Sequence, residues 1–249
     1  MKFADHFSTA SRDYSRFRPV YPAKLYHWLA GLAPGLDLAW DCATGNGQAA
    51  RGLKAHFRQV VATDASAEQI ASADVHQGIR FRVAPAQRSG LQGGSVDLVA
   101  VAQALHWFAD ESFYAEVRRV LRPGGVLAAW GYGLTRVDAA VDPLVDAFYG
   151  NRLDAFWPPE RVHVEAAYRD LDFPFEELAN TPNLSIEADM KVEDFLGYLG
   201  TWSAVKRLRA AQGGDPIADL AAQMRPVWGE GSKTVSWPIF VRVGRNTAT

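Results

Sequence analysis

The stretch Leu36-Asp37-Leu38-Ala39-Trp40-Asp41-Cys42-Ala43-Thr44-Gly45-Asn46-Gly47-Gln48-Ala49-Ala50 runs from an apolar segment through an acid into glycines and out into helix-forming residues. Leu36 to Trp40 reads as a buried strand ending on Asp41, because strands covered on both faces are almost continuously apolar. Ala49, Ala50, Leu53 and Phe57 then recur at helical spacing. Between them, glycine lets the backbone take positive φ and approach a ligand with no Cβ in the way. A helix start also leaves N–H groups unpaired beside a partial positive charge, which suits a carboxylate or phosphate.

The pattern continues on both sides. Pro22 opens a helix carrying Leu25, Leu29 and Leu32, which Pro34-Gly35 stops. Gln59 to Thr63 predicts a second strand ending on Asp64, and Ser66 with Gln69 forms a capping box for the next helix. Arg80 to Val83 and Val96 to Val101 predict two more strands. Asp110 caps a helix with Phe113, Val117, Val120 and Leu121 on its apolar face, ended by Pro123-Gly124-Gly125. Val126 to Trp130 is the fifth strand. Strand and helix thus alternate from about residue 36 to residue 130, the signature of a mostly parallel α/β sheet with helices on both faces.

Beyond residue 131 the alternation is lost. Trp157-Pro158-Pro159, Phe173-Pro174 and Thr181-Pro182 punctuate an aromatic-rich segment suited to a lid. Leu184 to Ala188 alternates like a strand, and helical stripes follow over Val192 to Trp202 and Ile217 to Val227. Val235, Trp237, Ile239, Val241 and Val243 mark a closing strand, in which Pro238 suits an edge or bulge. The expected organisation is an N-terminal helical cover (1–35), a cofactor-binding core (36–131), an acceptor-binding lid (132–233) and a closing strand of the core sheet (234–249).

The chain has 249 residues, 48% of them hydrophobic and 22% charged, which supplies a full globular core. A net charge of −2 argues against a sequence-independent grip on nucleic acid. No run approaches the ~18 apolar residues of a membrane span, and the first residues lack a signal-peptide pattern. Cys42 is the one cysteine and reads as a buried filler. No metal-ligand spacing is present among His76, His106 and His163. The expectation is a cytoplasmic protein acting on a small molecule, with neither nucleic acid nor membrane as partner.

Asp64 lies 17 residues after Gly47, at the tip of the second strand. A carboxylate there can accept from both hydroxyls of a ribose. Ser66 is the better helix cap, which leaves Asp64 for that role. Gly45-Asn46-Gly47-Gln48-Ala49-Ala50 also fits the dinucleotide fingerprint, so a nicotinamide-dependent oxidoreductase is a rival reading, and a catalytically silent cofactor-binding module a third. Against the oxidoreductase, Asp41 to Thr44 separates the strand from the glycines.

Asp41 to Gly47, Asp64, Val96-Asp97-Leu98-Val99 and Leu121-Arg122-Pro123-Gly124-Gly125 together resemble a class I methyltransferase, with its Rossmann-like sheet of the seven-stranded type. Tyr14, Arg18-Pro19-Val20-Tyr21-Pro22, Gln103-Ala104-Leu105-His106-Trp107-Phe108, Thr201-Trp202-Ser203 and Trp237-Pro238 are similar to the trans-aconitate methyltransferase group. The resemblance implies S-adenosyl-L-methionine as cofactor. Asp41, Ala43, Gly45 and Gly47 would hold its methionine part, Asp64 and Ala65 its ribose, Ala86 and Gln87 its adenine, and Gln103 would lie near the sulfonium. Ala43 replaces the usual first glycine and is expected to keep a negative φ. Pro85 stands where relatives place an acid. His106 is the candidate general base, and Tyr14, Arg18, Trp107 and Trp157 the candidate acceptor contacts. The expected reaction is methyl transfer to a small organic molecule, with a carboxylate as leading acceptor and Arg152, Arg161 and His163 available to pair with it.

Overall fold

The computed structural model describes residues 19–179 and 181–247. The apolar runs become β1 (Leu38–Cys42), β2 (Gln59–Asp64), β3 (Ile79–Val83), β4 (Val96–Ala102) and β5 (Leu121–Tyr132). The lid and C-terminus add β6 (Glu176–Glu177), β7 (Leu184–Lys191) and β8 (Ser232–Arg245). They form one eight-stranded sheet in the order β3-β2-β1-β4-β5-β8-β6, with β7 also on β8. Eight strands replace the expected seven because β8 is long enough to pair along its far edge with both β6 and β7. Pairing from β3 through β5 is parallel, and β8 runs antiparallel to β5.

The order reverses between β1 and β4, where chains leaving the two strands diverge. Helix α2 (Gln48–Lys54) follows β1 and buries Ala49, Ala50 and Leu53 on one face of the sheet, with α1 (Ala23–Leu32) beside it. A short α3 (Ala67–Ala71) follows β2, capped by Ser66, whose hydroxyl accepts from the Gln69 N–H. Helix α4 (Glu111–Val120) follows β4 and buries Phe113, Tyr114, Val117 and Val120 on the opposite face. Its cap is the expected one, with Asp110 accepting from the Phe113 N–H. Such divergence opens a crevice beyond the carboxyl ends of β1 and β4, the usual ligand position in open α/β sheets.

Three local expectations change. Leu121 belongs to β5, not to the preceding helix: it pairs with Val96 through an irregular register before Val126 joins Leu98. The glycine pair, with Gly124 at φ +76°, lies within the strand rather than ending the helix. Pro238 occupies neither a sheet edge nor a bulge, because it pairs with Ser185 inside the β7–β8 ladder. Its carbonyl accepts from Gly133, just past the Tyr132–Ile239 end of the β5 ladder. Carbonyl and nitrogen of an extended residue point to the same side, so the missing N–H interrupts no ladder.

The opposite, amino edge of the sheet is clamped by Asp97. This fully buried carboxylate accepts from the N–H groups of Asp37 and Leu38 and pairs with Arg122 at 2.9 Å. Its place is structural and leaves the carboxyl edge for ligand.

The lid carries α5 (Asp142–Ala147), α6 (Arg161–Glu165), α7 (Val192–Gly200), α8 (Ser203–Gln212) and α9 (Pro216–Trp228). Arg242 on β8 ties lid to sheet. Its guanidinium donates to the carbonyls of Tyr168 and Leu171, pairs with Glu177, and lies over the Phe173 ring at 4.5 Å.

Candidate cofactor and acceptor site

At the end of β1, Asp41 is fully buried between β2 and β4. One carboxylate oxygen accepts from the Thr44 hydroxyl; the other has no hydrogen-bond partner. The Ala50 N–H nearby lowers its proton affinity without reaching hydrogen-bond geometry, and burial outweighs both contacts, raising the pKa to about 7.

Ala43 takes φ +56°, so the expected negative φ is wrong. The turn demands the left-handed conformation, and a Cβ there costs roughly 1–2 kcal/mol. Gly45 at +57° and Gly47 at +85° follow in the same region. A Cβ on Gly47 would also meet the Phe81 ring at 2.8 Å. At the end of β4, Gln103 is likewise left-handed, with φ +56°. Such backbone strain collects where function over-determines the geometry. Here it sits on both strands that flank the crevice.

Asp64 is more engaged than the sequence suggests. One oxygen accepts from the Gly45 N–H and the other from the Ser66 N–H, both at 2.9 Å. The carboxylate therefore ties the glycine turn of β1 to the tip of β2. Ala65 is exposed just beyond it. Ala86 and Gln87 lie half-buried on the β3–β4 loop, where Gln87 bonds to the Asp110 side chain. Glu116 anchors that loop by accepting from both the N–H and the hydroxyl of Ser89. The N-terminal cover reaches the same edge. Gln48 donates to the Pro19 carbonyl, and Tyr21 packs edge-on against Trp130 at 5.7 Å. Tyr14 and Arg18 lie outside the described residues.

Aromatic rings cluster between residues 149 and 202. Trp157, Tyr149 and Trp202 are mutual neighbours at 4.7–5.8 Å. The Arg161 guanidinium lies 5.0 Å from Trp157 and 5.4 Å from Tyr149, and its Nε donates to the Tyr149 hydroxyl. Its two terminal nitrogens have no hydrogen-bond partner among the described residues. Arg152 is exposed, while His163 pairs with Asp170. Of the three expected cations, Arg161 alone has an aromatic setting.

His106 is half-buried against Trp107 at 4.8 Å, and its Nδ1 lies 3.1 Å from the Tyr168 hydroxyl. Burial, helped by the charges of Arg161 and His163, lowers its pKa to about 3. The ring is held in its neutral form at physiological pH. Tyr149, with Trp157 and Tyr132, was readable as a residue that lines a pocket or packs the lid, whereas Tyr168 and Arg242 carried no signal, since one sits in an irregular segment and the other on a strand with no motif.

Reversed strand order, a strained glycine turn and a ribose-tip acid define a class I, Rossmann-like cofactor-binding sheet. An unpaired buried carboxylate oxygen beside the turn fits the residues to a cofactor bearing a positive group. Residues 40–129 match a methyltransferase domain family model. The chain is 34% identical to a protein of Dictyostelium discoideum named as a methyltransferase, over 88% of this chain and 84% of that one. It is 30% identical to a Saccharomyces cerevisiae protein named as an S-adenosylmethionine-dependent methyltransferase, over 49% of this chain and 45% of the relative. A solved structure from Anaeromyxobacter dehalogenans, named as a type II methyltransferase, superposes with a TM-score of 0.89 at 49% identity, covering 94% of this chain and all of that one. The chain belongs to the methyltransferase family, and it is an S-adenosylmethionine-dependent methyltransferase. The nicotinamide reading is set aside.

Proposed function

We propose that the enzyme methylates a carboxylate oxygen of a small organic acid. The observation that carries this reading is Arg161, whose guanidinium lies against the paired rings of Trp157 and Tyr149 and whose charge is felt at His106. A planar guanidinium offers a carboxylate two parallel hydrogen bonds, and the flanking rings give an apolar surface for the carbon skeleton.

The residues that would hold the cofactor are Asp41 and Ala43 to Gly47 at the methionine end and Asp64 with Ala65 at the ribose. Ala86 and Gln87 would border the adenine, and Gln103 would lie near the sulfonium. When bound, the cofactor supplies an already activated methyl group on sulfur. Arg161 would hold an acceptor carboxylate with one oxygen turned toward that methyl group. No proton moves, because a carboxylate is ionised at neutral pH. The enzyme's work is alignment and exclusion of water. A neutral, weakly basic His106 suits that chemistry, and its expected role as general base is not needed.

The test is a panel of carboxylic acids, phenols and amines incubated with a tritiated methyl donor. Acids alone are expected to be labelled. Arg161→Ala should raise KM for the labelled acid about tenfold or more, as expected on losing a charged hydrogen bond, while Arg152→Ala leaves it within twofold. Labelling of amines or phenols alone overturns the carboxylate reading.

A further inference from the structure

Helix α6 ends in an unusual way. The Ala167 N–H bonds to Val164 and the Tyr168 N–H to His163, the paired pattern of a Schellman ending. Glycine normally fills the left-handed position, yet Ala167 (φ +54°) and Tyr168 (φ +61°) occupy two such positions in succession. The turn drives the Tyr168 side chain into the sheet, where it is fully buried and edge-on to Phe240 at 5.0 Å. Arg242 then pins the Tyr168 carbonyl at 2.5 Å. Backbone strain held from several directions is a reason to ask what the side chain does.

Among the described residues the Tyr168 hydroxyl has one hydrogen-bond partner, His106 Nδ1; the Leu105 N–H nearby falls short of hydrogen-bond geometry. A fully buried phenol with no other acceptor among the described residues gives its proton to His106 Nδ1, 3.1 Å away. Burial strengthens the phenol's hold on that proton. With Nδ1 as acceptor, the ring proton of a neutral imidazole must sit on Nε2. Nε2 has no partner among the described residues, and His106 stands after β4 at the carboxyl edge of the sheet.

We propose that Tyr168 is a positioning residue that locks His106 as the neutral Nε2–H tautomer, so that the acceptor site presents a hydrogen-bond donor and not a base. The proposal rests on the acceptor reading above for its use, but the tautomer itself does not. A single N–H beside Arg161 matches an oxygen acceptor bearing lone pairs, such as a carboxylate, and discriminates against a protonated amine. The charged groups that face His106 are Arg161 and His163, both from α6, and each opposes a second positive charge on the ring. Arg161 and His163 are themselves paired with Glu165, at 4.0 Å, and with Asp170. The lock therefore needs no titration near neutral pH.

The experiment is nitrogen-detected NMR of the full chain carrying 15N-histidine, with His106 assigned from the signal lost in His106→Gln. The wild type at pH 7 is expected to show His106 as one neutral tautomer protonated on Nε2. Tyr168→Phe should give a mixture of the two neutral forms. A proton on Nδ1, a charged ring at pH 7, or an unchanged single tautomer in Tyr168→Phe overturns the proposal. Should Tyr168→Phe fail to fold, the wild-type spectrum still decides. Kinetics supplies the second arm, because a glutamine amide reproduces a donor at the Nε2 position and an asparagine amide at the Nδ1 position. The KM of His106→Gln is expected at least tenfold below that of His106→Asn with whichever acceptor is labelled, and equal values count against the lock. The NMR arm uses no acceptor, so failure of the tautomer and failure of the carboxylate reading are told apart.

Discussion

Ala43 and Gln103 each pay for a left-handed backbone with a side chain that glycine would spare, and both stand at the carboxyl ends of the strands flanking the crevice. Removing the Cβ at position 43 relieves that strain but adds the conformational freedom of glycine to the unfolded chain. The balance predicts that Ala43→Gly stabilises the free protein by about 0.5–1 kcal/mol in urea denaturation; a destabilised variant would show that the methyl packs to advantage. Asp41 gives a second prediction. Its folded pKa of about 7 lies above 3.8, so between these values the folded state binds more protons than the unfolded one. Stability from this group is fully present below about pH 4 and is lost as pH rises through about 7. Asp41→Asn should flatten the fall in stability between pH 4 and 7, measured by denaturation at a series of pH values. An unchanged slope would assign the pH dependence elsewhere.

At the level of elements, legibility followed how local each signal was. The five parallel strands, the Ser66 and Asp110 caps and the turn after Asp41 were readable, because each depends on neighbours within a few residues. The conformation of Ala43 was not, since φ there is set by how β1 and α2 must join. Nor was the second partner edge of β8, which depends on lid segments far away in sequence. For His106, the candidate base, the surroundings that lower its proton affinity were not legible in the sequence. Its environment comes from Tyr168 and Arg161, more than fifty residues downstream. Arg242 is the clearest case of a residue with no motif that joins two elements. It satisfies two carbonyls and Glu177 while its side chain is only 12% exposed. Arg242→Ala leaves these groups unpaired and should cost about 2–4 kcal/mol. Hydrogen exchange should accelerate over residues 161–177 first, while β1 to β4 stay protected; uniform acceleration would mean that the clasp holds the whole fold and not the lid.

For the whole molecule, cofactor binding and folding are one equilibrium. A ligand that binds only the native state adds RT ln(1 + [L]/Kd), about 2.7 kcal/mol at a hundred times Kd. For a chain of this size each kcal/mol shifts the melting temperature by about 2–4 °C. Saturating S-adenosylhomocysteine, which has the cofactor's groups but no methyl to transfer, should therefore raise it by roughly 5–10 °C. NADH should not, because the glycine turn begins only after Asp41 to Thr44 and the family is that of methyltransferases. Asp64 links this response to the site. Its carboxylate bonds to Gly45 and Ser66 and is the expected holder of the ribose hydroxyls, so Asp64→Ala loses two contacts within the protein and those to the ligand. The first loss lowers the melting temperature of the free protein; the second lowers affinity by about 1.5–3 kcal/mol, the range for a hydrogen bond to a charged group. The two effects separate in calorimetric titration, where only affinity is read. Weakened binding together with a folded, less stable free protein is the expected result. Unchanged affinity would confine Asp64 to bracing the turn, and a melting shift with NADH in place of S-adenosylhomocysteine would reverse the cofactor assignment.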